Sequence, residues 1–82
     1  MRLDKYLKVS RIIKRRTVAN EVCDLGRVSI NGKVAKPSSE VNADDTLDIL
    51  MGGRHIKVKV ISVQEHAAKG DASSMYELLA GE

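Results

Sequence analysis

Eighty-two residues, 43% of them hydrophobic and 30% charged, amount to one small globular domain rather than a disordered chain. No apolar run approaches the roughly 18–20 residues that span a bilayer, and the charged start Met1-Arg2-Leu3-Asp4-Lys5 is no signal peptide. The single cysteine, Cys23, excludes an internal disulfide framework and a multi-cysteine zinc site, and a cytoplasmic protein is expected.

Helical spacing begins at once. Leu3, Tyr6, Leu7 and Ser10 fall on one side of a helix, with Lys5 and Lys8 on the other, which predicts a first helix over about Leu3–Val9. Ser10–Arg16 reads as a connector anchored by Ile12 and Ile13. Thr17 is an N-cap candidate, and Val18, Val22 and Leu25, widened by Ala19, give a second amphipathic helix of about Val18–Leu25. Gly26 stands where a left-handed residue ends a helix.

The period then changes from 3.6 to 2. Val28 and Ile30 alternate with Arg27 and Ser29, Asn31-Gly32 is a strong hairpin signal, and Val34 opens the return strand. Pro37–Glu40 is a break, Val41 re-enters the core, and Asn42–Asp45 is a turn. Leu47, Ile49 and Met51 alternate in the next strand; Gly52-Gly53 turns the chain; Ile56, Val58 and Val60 alternate in another, with a register change expected near Ile61. His66–Asp71 is loop-like. Ser73 or Ser74 then caps a short last helix carrying Met75, Leu78 and Leu79, too short to stand alone, so it docks or stays mobile. The fold class is α+β: two N-terminal helices packed on a small antiparallel sheet, with a short C-terminal helix or flexible tail.

The charge is polarised. Residues 1–36 hold ten Lys/Arg against three acids, a net of +7, whereas residues 37–82 hold four against eight, a net of −4. One strongly positive face suits a polyanion: RNA, DNA or anionic lipid. Lys14, Arg15 and Arg16 put three cations at the positive end of the second helix. The helix dipole disfavours them by some tenths of a kcal/mol each, unless a phosphate occupies the site. Arg2, Lys5, Lys8 and Arg11 line the first helix and its exit, and Arg27 and Lys33 flank the hairpin. Such contacts give affinity and register rather than base readout, and neutralising about six phosphates would give a log–log salt slope of about −4 to −5.

Several blocks in order resemble a known family: Arg2-Leu3-Asp4-Lys5-Tyr6-Leu7, Ser10-Arg11, Lys14-Arg15-Arg16-Thr17-Val18-Ala19, Gly26-Arg27-Val28-Ser29-Ile30-Asn31-Gly32 and Ala35-Lys36-Pro37-Ser38. They look like the RNA-binding domain named after small-subunit ribosomal protein four, over about residues 1–50. One departure is Asp44-Asp45, where many members have Gly-Asp at the turn. The resemblance implies an RNA-binding domain over 1–65, with helices in 1–26 and the sheet in 27–65, and a C-terminal extension over 66–82. It is closest to the small ribosome-associated quality-control members. That implies binding to obstructed large ribosomal subunits through rRNA and P-site peptidyl-tRNA. It further implies support for C-terminal alanine tailing together with the NEMF-type factor RqcH, by a monomer with no cofactor and no membrane attachment. The heat-shock member of the family is the next nearest reading.

The RNA-contact candidates are therefore Arg2, Lys5, Lys8, Arg11, Lys14, Arg15, Arg16 and Arg27, with Arg16 first. Asp4 is odd on such a face and reads as a structural partner for a neighbouring cation or first-turn N–H. His55 and His66 lack a ligand motif, Cys23 reads as a buried inert thiol, and Tyr6 and Tyr76 read as packing residues. No nucleophile–base pair points to an enzyme. A seven-residue connector between the helices is longer than the three or four residues of a helix-turn-helix, which argues against a DNA module.

Overall fold

The computed structural model describes residues 1–65 and 72–81. Helices α1 (Leu3–Val9) and α2 (Arg16–Asp24) precede strands β1 (Val28–Ile30), β2 (Lys33–Val34), β3 (Thr46–Met51), β4 (Arg54–Val60) and β5 (Tyr76–Gly81). The strands form one antiparallel sheet in the order β2-β1-β3-β4-β5. The fold class is α+β, as expected.

Helix α1 has no side-chain cap; a distant loop does that work. The Leu3 N–H donates to the Ser39 carbonyl (2.8 Å) and the Asp4 N–H to the Pro37 carbonyl (3.1 Å), while the N-terminal ammonium meets Glu40 at 2.7 Å. The break read at Pro37–Glu40 thus satisfies the free first-turn donors of the helix and fixes where Arg2 leaves the backbone. Both helices cover one face of the sheet. Leu3, Tyr6 and Leu7 of α1 and Ala19 and Cys23 of α2 pack on Val28, Leu47, Ile49, Val58 and Val60, all buried. The other face carries Asp48, His55 and Lys57, with His55 Nε2 2.9 Å from Asp48 Oδ1, a polar surface open to water.

The Asn31-Gly32 turn takes positive φ at both residues, 51° and 84°, as its residue types demand. Asn31 also clamps the next turn. Its Oδ1 accepts from the Thr46 N–H at 2.9 Å, its Nδ2 donates to Asp45 at 3.0 Å, and Asp45 in turn accepts from the Asn42 N–H at 2.9 Å. Asp44 sits beside this clamp at φ 74°, in the left-handed region that glycine enters more easily and aspartate tolerates. Asn31→Gly keeps the backbone freedom and deletes the clamp. It is expected to cost about 1 kcal/mol, read as a fall in Tm of roughly 4–8 °C for a domain of this size.

Four expectations are corrected. Thr17 is not the N-cap: α2 starts at Arg16, after an extended Arg15 with no side-chain cap bond. The buried face of α2 is Ala19 and Cys23, not Val18 and Leu25, which are exposed. Small side chains let α2 approach α1 closely, and Leu25, at the C-cap, has left the helical phase. The chain beyond Ile61 is not a continued strand; β4 ends at Val60, and the irregularity lies in its pairing with β5 at Lys57/Val58. No C-terminal α-helix carrying Met75, Leu78 and Leu79 forms among the described residues. Ala72–Met75 make one 3₁₀ turn, and Tyr76–Gly81 become β5, because the open edge of β4 offers a full ladder of hydrogen bonds to a segment too short to hold as a helix. The loop expected at His66–Asp71 lies outside the described residues.

Candidate nucleic-acid interface

The centre of the basic half is an acid. Asp4 is 2% exposed, the one buried charged residue among the described residues. The Lys5 backbone N–H donates to its Oδ1 at 2.8 Å. Arg2 donates Nε to Oδ1 (3.2 Å) and Nη2 to Oδ2 (3.3 Å) as a fork, and Asn20 Nδ2 donates to Oδ2 at 3.2 Å. Arg16 Nη2 lies 3.5 Å from Oδ1. Burial pushes the Asp4 carboxyl up. The Asn20 and Arg2 hydrogen bonds, the Arg16 charge and the Lys5 N–H outweigh it and hold the group below its ordinary 3.8. It is therefore ionised at neutral pH.

This carboxylate aligns guanidinium groups from two helices. The Arg2 and Arg16 side chains are still 52% and 48% exposed, so each turns one edge to Asp4 and keeps donors for solvent or an anion. Arg16 and Asn20 are four residues apart on α2 and share its face. Asn20 is absent from the sequence-derived candidates, although its spacing from Arg16 is a signal that could have found it. Lys8 lies one turn beyond Asp4 on the same side of α1 and is exposed. Lys14 and Arg15 follow as exposed residues at the entry to α2, beside a cleft of about 460 Å³ floored by Ile12, Ile13, Val18 and Met51. No acid occupies the first turn of α2, so the positive end of its dipole is reinforced rather than offset.

Three candidates are not held by Asp4. Lys5 pairs with Glu65. Arg11, past the end of α1, lines a different cleft with Arg54. Arg27 stands at the foot of β1, its carbonyl accepting from the Leu50 N–H at 2.9 Å. The structure thus brings Arg2 and Arg16 together with Lys8 alongside, sets Lys14 and Arg15 next to Arg16 along the chain, and leaves Lys5, Arg11 and Arg27 out of that group. Cys23 is buried below the group; burial, then the Asp4 charge, push its thiol up to about 11, which leaves it protonated and unreactive.

Arg2, Asp4 and Arg16 all lie within residues 1–47, the span matched by the family model described as the S4 domain. The chain belongs to the S4 domain family. It is 52% identical over 79 residues to the RQC P-site tRNA stabilizing factor of Streptococcus pneumoniae, a match covering 96% of this S4 domain chain and 90% of that protein. Against the protein of the same name from Bacillus subtilis the identity is 51%, covering 96% and 92%. At this identity and coverage the chain stands with that branch of the S4 domain proteins. Heat shock protein 15 of Escherichia coli is more distant, at 38% identity over 94% of this chain and 59% of that one. Among solved structures, a trimeric heat shock protein 15 from Vibrio cholerae superposes with a TM-score of 0.88 at 27% identity, covering 98% and 82%. The solution structure of HP1423 superposes at 0.82 and 28%, over the full length of both chains.

Proposed function

We propose that this chain is a non-enzymatic RNA-binding factor of ribosome-associated quality control. It binds obstructed large ribosomal subunits through rRNA and P-site peptidyl-tRNA and supports C-terminal alanine tailing of stalled nascent chains, in the cytoplasm and in concert with RqcH. The observation that carries the reading is the pair of half-exposed guanidinium groups, Arg2 and Arg16, aligned on one buried carboxylate. A fixed pair of planar donors matches neighbouring phosphates or a phosphate and a ribose hydroxyl. Lys8, Lys14 and Arg15 extend the positive surface, and Lys5, Arg11 and Arg27 add to its long-range field. Support for the ribosomal partner and the P-site tRNA is the name borne by relatives about half identical over nearly the whole chain. The heat-shock reading rests on a lower identity and on a relative of which this chain spans only 59%.

The test is sedimentation of the wild-type chain and of Arg16→Ala in lysates enriched in stalled large subunits. The wild type is expected to travel with large subunits carrying peptidyl-tRNA. Arg16→Ala, with the fold intact by circular dichroism, is expected to move largely to the top of the gradient. In titrations with purified subunits the variant should lose roughly tenfold or more in affinity, the worth of one charge-assisted hydrogen bond, and its salt slope should become shallower by about 1. Unchanged co-sedimentation of an Arg2→Ala/Arg16→Ala double variant would remove the site from the reading.

A further inference from the structure

A cleft of about 350 Å³ opens between the α1–α2 connector and strands β4 and β5. Ile56 and Val58 lie on the helix-facing side of β4. Tyr76 and Leu78, in register with Val60 and Val58, lie on the same side of β5. Ile12 lines the cleft from the connector, yet Leu78 is still 60% exposed and Tyr76 is only half-buried. Glu77, the acid of this stretch, is in register with Lys59 and faces the other way, and no acid lines the cleft among the described residues. Arg54 lines it but is already engaged within the chain, so the charge left for a ligand is that of Arg11.

Arg11 stands exposed at the cleft with φ 63°, the left-handed position that ends α1 and that glycine takes without strain. Glycine would serve the turn at least as well and would leave the cleft without this charge. The guanidinium is therefore the part of the residue that the turn does not explain. Ile12 lines this cleft and also the second one, where Lys14 and Arg15 stand before α2. An RNA strand lying on Arg16, Arg15 and Lys14 thus crosses the Ile12 side chain to reach Arg11 and Tyr76. The lining sets the chemistry of what is held there. One cation matches one phosphodiester. A phenol ring beside aliphatic side chains takes the flat face of a nucleobase. A base inside a duplex has its faces stacked already, so the occupant is unpaired. The volume, at the lower end of the roughly 300–1,000 Å³ of ligand pockets, holds one nucleoside and no helix.

We propose that this cleft receives one unpaired nucleotide of the bound RNA, its base stacked on Tyr76 beside Ile12 and Leu78 and its phosphate on Arg11. Resting on the RNA-binding reading above, this gives the factor a substrate class: RNA with a single-stranded segment next to the backbone that Arg2 and Arg16 hold.

The probe is hexaadenylate, titrated into the isotopically labelled full chain and followed by amide NMR shifts. Saturable shifts are expected at Ile12 and residues 76–78, alongside those at residues 14–16. Tyr76→Leu keeps an apolar side chain but no ring. It should bind roughly tenfold more weakly, within the worth of one stacked base, with its salt slope unchanged. Tyr76→Phe should bind as the wild type does. Arg11→Gly should weaken binding and make the salt slope shallower by about 0.7 while Tm holds or rises, a combination that general destabilisation does not produce. The two regions report on separate amides. Shifts confined to residues 14–16 would overturn the proposal and leave the RNA-binding reading standing, whereas shifts at Ile12 and residues 76–78 with none at residues 14–16 would uphold the cleft and count against that reading. The proposal is also overturned if an abasic strand of the same length binds as tightly, if Tyr76→Leu binds as the wild type does, or if an acidic leucine-rich peptide or a second copy of this chain takes the cleft in preference to the RNA.

Discussion

Asp4→Ala is expected to weaken binding to structured RNA roughly tenfold although it makes the protein more positive by one charge. Simple attraction between a basic protein and a polyanion predicts the opposite sign. The expectation rests on the geometry around the carboxylate, which takes a two-point fork from Arg2 and lies 3.5 Å from Arg16. Without it, two like charges face each other with no common acceptor, and both side chains regain the rotamer freedom that the carboxylate had removed. Stability falls as well. The Lys5 N–H loses its acceptor at a buried position, whereas the half-exposed guanidinium groups and the exposed Asn20 amide recover water, so a loss of about 1–3 kcal/mol is expected. Acid titration isolates the carboxylate. Its ordinary value is 3.8 and its folded value lies lower. The stabilisation it supplies is therefore complete above about pH 4 and disappears as pH falls through the folded value. Asp4→Asn should lack that component, so its unfolding free energy should lie below the wild type at pH 6 and approach it in strong acid. A constant gap between the two curves across that range would show that the charge of Asp4 contributes nothing.

Much of this arrangement is legible in the chain. The span of α1, the Asn31-Gly32 hairpin and the strand after Asp45 follow from local spacing and turn chemistry. The three cations before α2 are visible as a misfit with the helix dipole. Contacts between distant segments are not legible. Nothing near Asp4 in sequence announces that Asn20 and Arg16 will reach it, or that Pro37 and Ser39 will cap α1 with backbone carbonyls. The face of α2 misleads because large apolar residues outweigh small ones in any count of periodicity. Ala19 and Cys23 are buried because the two helices approach closely, while Val18 lines an open cleft. The C-terminal segment misleads because Met75, Leu78 and Leu79 have helical spacing, and spacing carries no information about an unpaired strand waiting in β4.

That segment carries the second large effect. Tyr6→Ala is expected to cost about 3–5 kcal/mol, the range for removing a buried aromatic ring, and so to remove a large part of a total stability of order 5–15 kcal/mol. Tyr6 is fully buried, and its hydroxyl donates to the Met75 carbonyl at 2.7 Å. Burial, with Tyr76 nearby, pushes that hydroxyl well above its usual value, so it stays a donor across the working pH range. The same carbonyl accepts from the Ile61 N–H at 2.8 Å and the Ser62 N–H at 3.1 Å. One oxygen thus joins α1, the end of β4 and the turn that launches β5. Tyr6→Phe separates the ring from the hydroxyl. Because two backbone donors remain on the Met75 oxygen, the global loss should be only about 1 kcal/mol, but it should be local. Amide exchange in the β4–β5 ladder, from Ile56 to Val60 and Tyr76 to Ala80, should accelerate several-fold, while the β1–β3 ladder keeps its protection. Uniform acceleration across both ladders would mean that β5 is welded to the core by packing alone and that the Met75 oxygen is no junction. Protection lost only at β5 would mean that Tyr6 governs how readily the edge strand detaches.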